Sequence, residues 1–123
     1  MELVASSFLE AFCHLESAAE DAVVVLADEP LQPPFNCSDA ASPLALAFWL
    51  SSRSEGAGAV LTRLRRDTVA PVKPCERFGP LYVGGGLPLL ERIVLRRPGS
   101  VALELASERT GPIHCVDLEL LDA

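Results

Sequence analysis

The stretch Leu44-Ala45-Leu46-Ala47-Phe48-Trp49-Leu50 constrains the fold more than any other part of the chain. In an extended backbone, successive side chains point to opposite faces. Leu44, Leu46, Phe48 and Leu50 then share one face, while Ala45, Ala47, Trp49 and Ser51 share the other. A strand with one solvated face carries polar residues on it, whereas this one is apolar on both. The pattern predicts a central strand over residues 44–52 with something packed on each side.

The remainder of 123 residues has to supply that cover. This length suits a single domain, residues 1–123. Half of the residues are hydrophobic but only 6% are aromatic, so the core is aliphatic. Residues 2–20 read as a helix, because Ala5, Phe8, Phe12, Leu15 and Ala19 recur at three- and four-residue steps. Val23-Val24-Val25-Leu26 reads as a buried strand. Prolines punctuate residues 28–43 and 67–77, which read as loops. Glu55-Gly56-Ala57-Gly58 is a turn signal, so Ala59 to Leu64 is expected to return as a hairpin partner of the central strand. Phe78 to Val83 reads as a short strand, followed by Gly84-Gly85-Gly86 and a helix from Leu89 to Arg97 that Pro98-Gly99 stops. A C-terminal hairpin follows. With Glu108 to Gly111 as its loop, Val101 faces Leu118, Leu103 faces Val116, and Ala102, Glu104, Cys115, Asp117 and Glu119 share the reverse face. The expected class is α+β, a mainly antiparallel sheet with an N-terminal helix and a short second helix before a C-terminal hairpin. An all-β sandwich is the alternative.

A net charge of -7 argues against a nucleic-acid partner, which needs a basic footprint, and against an anionic membrane surface. No apolar run approaches the ~20 residues of a membrane span. The N-terminus lacks the basic start of a secretory signal, its first basic residue being Arg53, so an intracellular, cytoplasmic setting is expected. Cys13, Cys37, Cys75 and Cys115 are then expected to be free thiols. Cys13-His14 and His114-Cys115 invite a zinc reading, but neighbours on a strand point apart and no C-x-x-C spacing exists. No metal or cofactor is expected.

Gly84-Gly85-Gly86 between a strand and a helix has the outline of an anion cradle, yet Leu87-Pro88-Leu89 stands where a phosphate loop has Lys and Ser/Thr. Arg63, Arg65, Arg66, Arg96 and Arg97 form a basic cluster suited to a phosphate or an acidic peptide, or simply to a solvated strand end. No nucleophile–base arrangement is present, so no catalytic residue is assigned. Leu81 to Pro88 resembles a strand–turn segment of laminin-G-type sandwich domains. The element order is similar to that of small acidic type III secretion chaperones, which implies dimerisation and capture of an unfolded segment. Neither likeness carries a residue-specific motif, and no family is assigned.

The expectation is a non-catalytic protein-binding module, an adaptor, chaperone-like protein or complex subunit, dimeric or with another protein chain as partner. Its interface is placed on Leu44, Leu46, Phe48, Trp49 and Leu50 of the two-faced strand, and on the acidic strip Glu104, Asp117 and Glu119. The alternative is a small enzyme or anion-binding protein centred on Gly84 to Gly86 and the nearby arginines.

Overall fold

A computed structural model describes residues 3–18, 20–29, 43–68, 82–104 and 112–121. Helix α1 (Leu3–Ala18) buries Val4, Ala5, Phe8 and Ala11, a stripe at the helical repeat. Strands β1 (Ala22–Asp28) and β2 (Leu44–Leu50) form one antiparallel sheet, with Val23 opposite Trp49 and Val25 opposite Ala47. Strand β3 (Ala59–Asp67), strand β4 (Gly99–Ala102) and strand β5 (Ile113–Leu120) form a second, in the order β3-β5-β4. A 3-10 turn (Tyr82–Gly86) and helix α2 (Leu87–Val94) lie between β3 and β4 in the chain. The class is α+β, with an N-terminal helix and a C-terminal hairpin as expected.

Several details differ from the sequence reading, among them the second helix, which spans Leu87–Val94 rather than Leu89 to Arg97 and ends before Pro98-Gly99. The sheet is two sheets. Strand β3 does not fold back on β2; it pairs with β5, so the Glu55–Gly58 turn redirects the chain between sheets. The expected strand over residues 78–83 gives way to the 3-10 turn at Tyr82 and Val83, while residues 78–81 lie outside the described part. The hairpin register is displaced by two residues, with Val101 opposite Val116 and Ala102 opposite Cys115. A displacement of two preserves the side-chain alternation, so the same residues share each face, but the reverse face is not the open outward face expected: Ala102 and Cys115 on it are buried. The hairpin loop, Cys37 and Cys75 also lie outside the described residues.

One core joins the elements. Val24, Leu26, Leu46 and Phe48 from the first sheet meet Val101, Leu103, Val116 and Leu118 from the second, with Phe8 and Leu89 from the helices. Phe8 sits edge-on to Phe48, ring centroids 5.4 Å apart, the offset geometry that aromatic quadrupoles favour. The glycine run explains how the pieces come so close. A Cβ on Gly85 would stand 3.1 Å from the Leu103 carbonyl oxygen, and one on Gly86 would stand 3.1 Å from Leu46 Cδ1. Gly84, Gly85 and Gly86 are all buried.

Candidate functional site

Alternation along β1 and β2 turns one side of their sheet to the core and the other outward. The outward side consists of Val23, Val25 and Ala27 on β1 and Ala45, Ala47 and Trp49 on β2, all of them exposed. Val23, Val25 and Trp49 are 56%, 65% and 74% exposed. Among the described residues these six apolar side chains lie in cross-strand register on one exposed face. The pattern predicted cover on both faces of β2. Among the described residues only its inner face is covered, because α1 and the 3-10 turn both pack on that side.

Trp49 is exposed but held. Its indole N–H donates to Asp21 Oδ2 at 3.0 Å. The Ser51 hydroxyl bonds the same carboxylate, and Arg53 lies 3.9 Å from its other oxygen. These contacts hold the Asp21 carboxyl below the ordinary carboxylate range, the Ser51 bond contributing most, then Trp49, against a smaller desolvation effect. At the opposite end of the face lie Asp28 and Glu29, the latter exposed and continuing the outward parity of β1. The Glu29 backbone N–H donates to Asp28 Oδ1 at 2.8 Å.

The structure divides the expected interface residues. Leu46 and Phe48 are in the core, and Leu44 and Leu50 are half-buried against it; Trp49 alone of the five is on the open face. Sequence reasoning missed Val23 and Val25, which it read as part of a buried strand, and Ala27, which it assigned to no element. The available signal was size: the larger Leu and Phe side chains of β2 point inward, with Ala on the other side.

The hairpin carboxylates are largely engaged within the chain. Asp117 Oδ1 accepts from Arg65 Nη1 at 2.9 Å and from the Ser100 hydroxyl at 2.7 Å, and Arg63 Nη1 is 3.4 Å from its other oxygen. Ser100 first and Arg65 second hold the Asp117 carboxyl below its usual range. The register of β3 shifts between Thr62 and Arg65, and Arg63 there takes a φ of 53°, which brings both arginines to one carboxylate. Glu104 Oε2 accepts from the His114 backbone N–H. Glu119 is exposed. Arg96 and Arg92 donate to the Leu121 and Pro98 carbonyls, closing backbone at the end of α2.

An open cleft of about 830 Å³ lies between the end of α1, residues 51–58 and β3, with Phe12, Leu15, Leu50 and Leu61 in its lining and Trp49 and Asp21 shared with the outer face. Cys13 is an exposed free thiol and Cys115 a buried one. Burial is the main cause that pushes the Cys115 thiol up, against the attraction of Arg65. Among the described residues no group of three His, Cys, Asp or Glu is placed to hold a metal, and no helix is long and apolar enough to cross a membrane. Comparison with protein-family models, curated proteins and solved structures returns no match.

Proposed function

We propose that the protein is a non-catalytic protein-binding module, an adaptor, chaperone-like protein or complex subunit, that works through the outer face of the β1–β2 sheet. The observation that carries this reading is the row of six exposed apolar residues in register, with Trp49 pinned by Asp21. A large aromatic group held in one orientation loses little freedom on binding, and Trp is enriched among the residues that dominate interfaces. The net charge of -7 favours a protein partner over nucleic acid or an anionic membrane. The free thiols Cys13 and Cys115 suit an intracellular setting.

The rival reading, anion binding at Gly84 to Gly86, is the weaker one. Those glycines are buried, with the core methyl groups of Leu26 and Leu46 beside Gly86.

Apolar-dye fluorescence tests the proposal. The wild-type protein should bind the dye, and Val25→Glu should reduce that binding several-fold with an unchanged melting temperature. Absence of dye binding by the wild type at concentrations where it is monomeric removes the reading. A rise in melting temperature with millimolar phosphate, absent with equal ionic strength of chloride, would restore the anion-binding alternative.

A further inference from the structure

Resting on that reading, we propose that the occupant of the β1–β2 outer face is a second copy of this chain, stacked face to face. The face is graded in side-chain size along its strands. Its one end carries the large pair Val23 and Trp49, its middle Val25 and Ala47, and its other end the small pair Ala27 and Ala45. Most oligomers of identical chains are two-fold dimers whose contact is the same patch on both copies. Two such axes can lie in the plane between stacked sheets, one across the strands and one along them.

An axis across the strands, through the level of Val25 and Ala47, reverses the second copy end for end. Trp49 then covers Ala45 of the second copy, Val23 covers its Ala27, and Val25 and Ala47 each meet their own counterpart. Large stands over small at both ends, which is how facing sheets interdigitate at a spacing of about 10 Å. An axis along the strands instead sets Trp49 against Val23 at one end and leaves small residues facing small at the other.

Charge selects the same axis. Arg53, 75% exposed, lies at the Trp49 end beside Asp21, and Asp28 and Glu29 lie at the other. Reversal lays the end of each copy that carries Arg53 over the end of the other that carries Asp28 and Glu29, with Arg53 and Glu29 about one strand spacing apart sideways and within reach of the long arginine side chain, so two opposite-charge contacts form per dimer. The axis along the strands instead lays like end over like end, Arg53 beside Arg53 and Glu29 beside Glu29. The face runs about 20 Å along the strands, a small contact, so the dimer is expected to be reversible and populated in the micromolar range.

Sedimentation velocity over a concentration series at low salt tests this with the wild type, Glu29→Arg, Arg53→Glu and the double variant. The wild type should show a monomer–dimer equilibrium. Each single variant should dimerise at least tenfold more weakly, since like charges then face each other at both ends. An equimolar mixture of the two single variants should recover dimer, because both contacts become complementary, and that recovery also shows both variants to be folded. The double variant should return to near the wild-type constant. Single variants that dimerise like the wild type, or a mixture that does not recover, overturn the proposal. A wild type monomeric up to millimolar concentration also overturns it. If that monomer binds an apolar dye through a site lost in Val25→Glu, the binding-module reading survives with a different partner; if it binds none, both fall.

Discussion

Trp49 is the only tryptophan in the chain, so its emission reports one site. Asp21 accepts its indole N–H, and the carboxyl is held below the ordinary range. A carboxylate with a lowered folded-state pKa gives its full contribution above the unfolded-state value and loses it as pH falls through the folded value. Trp49 emission is therefore expected to stay constant from neutral pH down through the usual carboxylate range and to shift only below it. A fluorescence titration checks this; a midpoint at or above the ordinary value contradicts the geometry. Asp21→Ala should produce the acid form of the spectrum at neutral pH. Glycine substitutions separate two kinds of crowding. A Cβ on Gly85 meets a backbone carbonyl, while on Gly86 it meets the mobile ends of Leu46 and Leu26. Denaturant unfolding should show Gly85→Ala destabilising by about 1–3 kcal/mol and Gly86→Ala by clearly less. At this scale the sequence was partly legible. Alternation reveals that β2 has two faces, and the size difference between Leu46 and Phe48 on one and Ala45 and Ala47 on the other is the local hint of which packs inward, with Trp49 running against it.

Among the elements, α2 ends in a motif that normally uses glycine. The Arg97 N–H bonds the Arg92 carbonyl and the Arg96 N–H bonds that of Ile93, with Arg96 at a φ of 53°. A side chain in this region costs roughly 1 kcal/mol. What opposes that cost is the Arg96 guanidinium, which donates to the Leu121 carbonyl at 3.1 Å and ties the end of α2 to the end of β5. Arg96→Gly is expected to be stabilising by less than about 1 kcal/mol, since relief of strain exceeds loss of an exposed hydrogen bond. Chemical denaturation checks the sign, and a loss above 1 kcal/mol would show the tether to be the larger effect. The elements also show where local reasoning fails. The presence of a helix after the glycine run was readable because its pattern is local, but its end was not: α2 stops at Val94 through the Arg96 turn, short of the expected stop at Pro98-Gly99. The pairing of β3 with β5 was not readable either, since residues close in space are some fifty positions apart in sequence, as with Thr62 and Asp117. Tyr82 and Val83 favour a strand by propensity, and the packing of the glycine run overrides that preference.

Over the described residues, one core draws on both sheets and both helices, and its most enclosed members include Leu89 of α2, Phe8 of α1 and Leu103. Leu103 is 1% exposed in that core. Leu103→Ala should lower stability by about 2–5 kcal/mol, measured by denaturant unfolding, and should loosen both sheets together if they unfold as one unit. Thiol labelling reads the same unity from inside. In a chain with Cys37 and Cys75 replaced by Ser, Cys13 should react at once, and Cys115 only at the rate of global unfolding. Fast labelling of Cys115 would mean that the second sheet opens alone. The class, the helix at the start and the hairpin near the end were all visible in composition and periodicity. The division into two sheets was not, because it follows from a single non-local pairing.

The strand order β3-β5-β4 sets a schedule for synthesis. A ribosome delivers the chain from its N-terminus, so α1, β1 and β2 emerge with their local partners already present. Strands β3 and β4 emerge without theirs, since the strand that lies between them is made last of the three. During that interval β3 presents unpaired backbone along both edges, the exposure that recruits foreign strands and holding factors. A ribosome stalled before Ile113 therefore carries a nascent chain whose first sheet is complete and whose second has not begun.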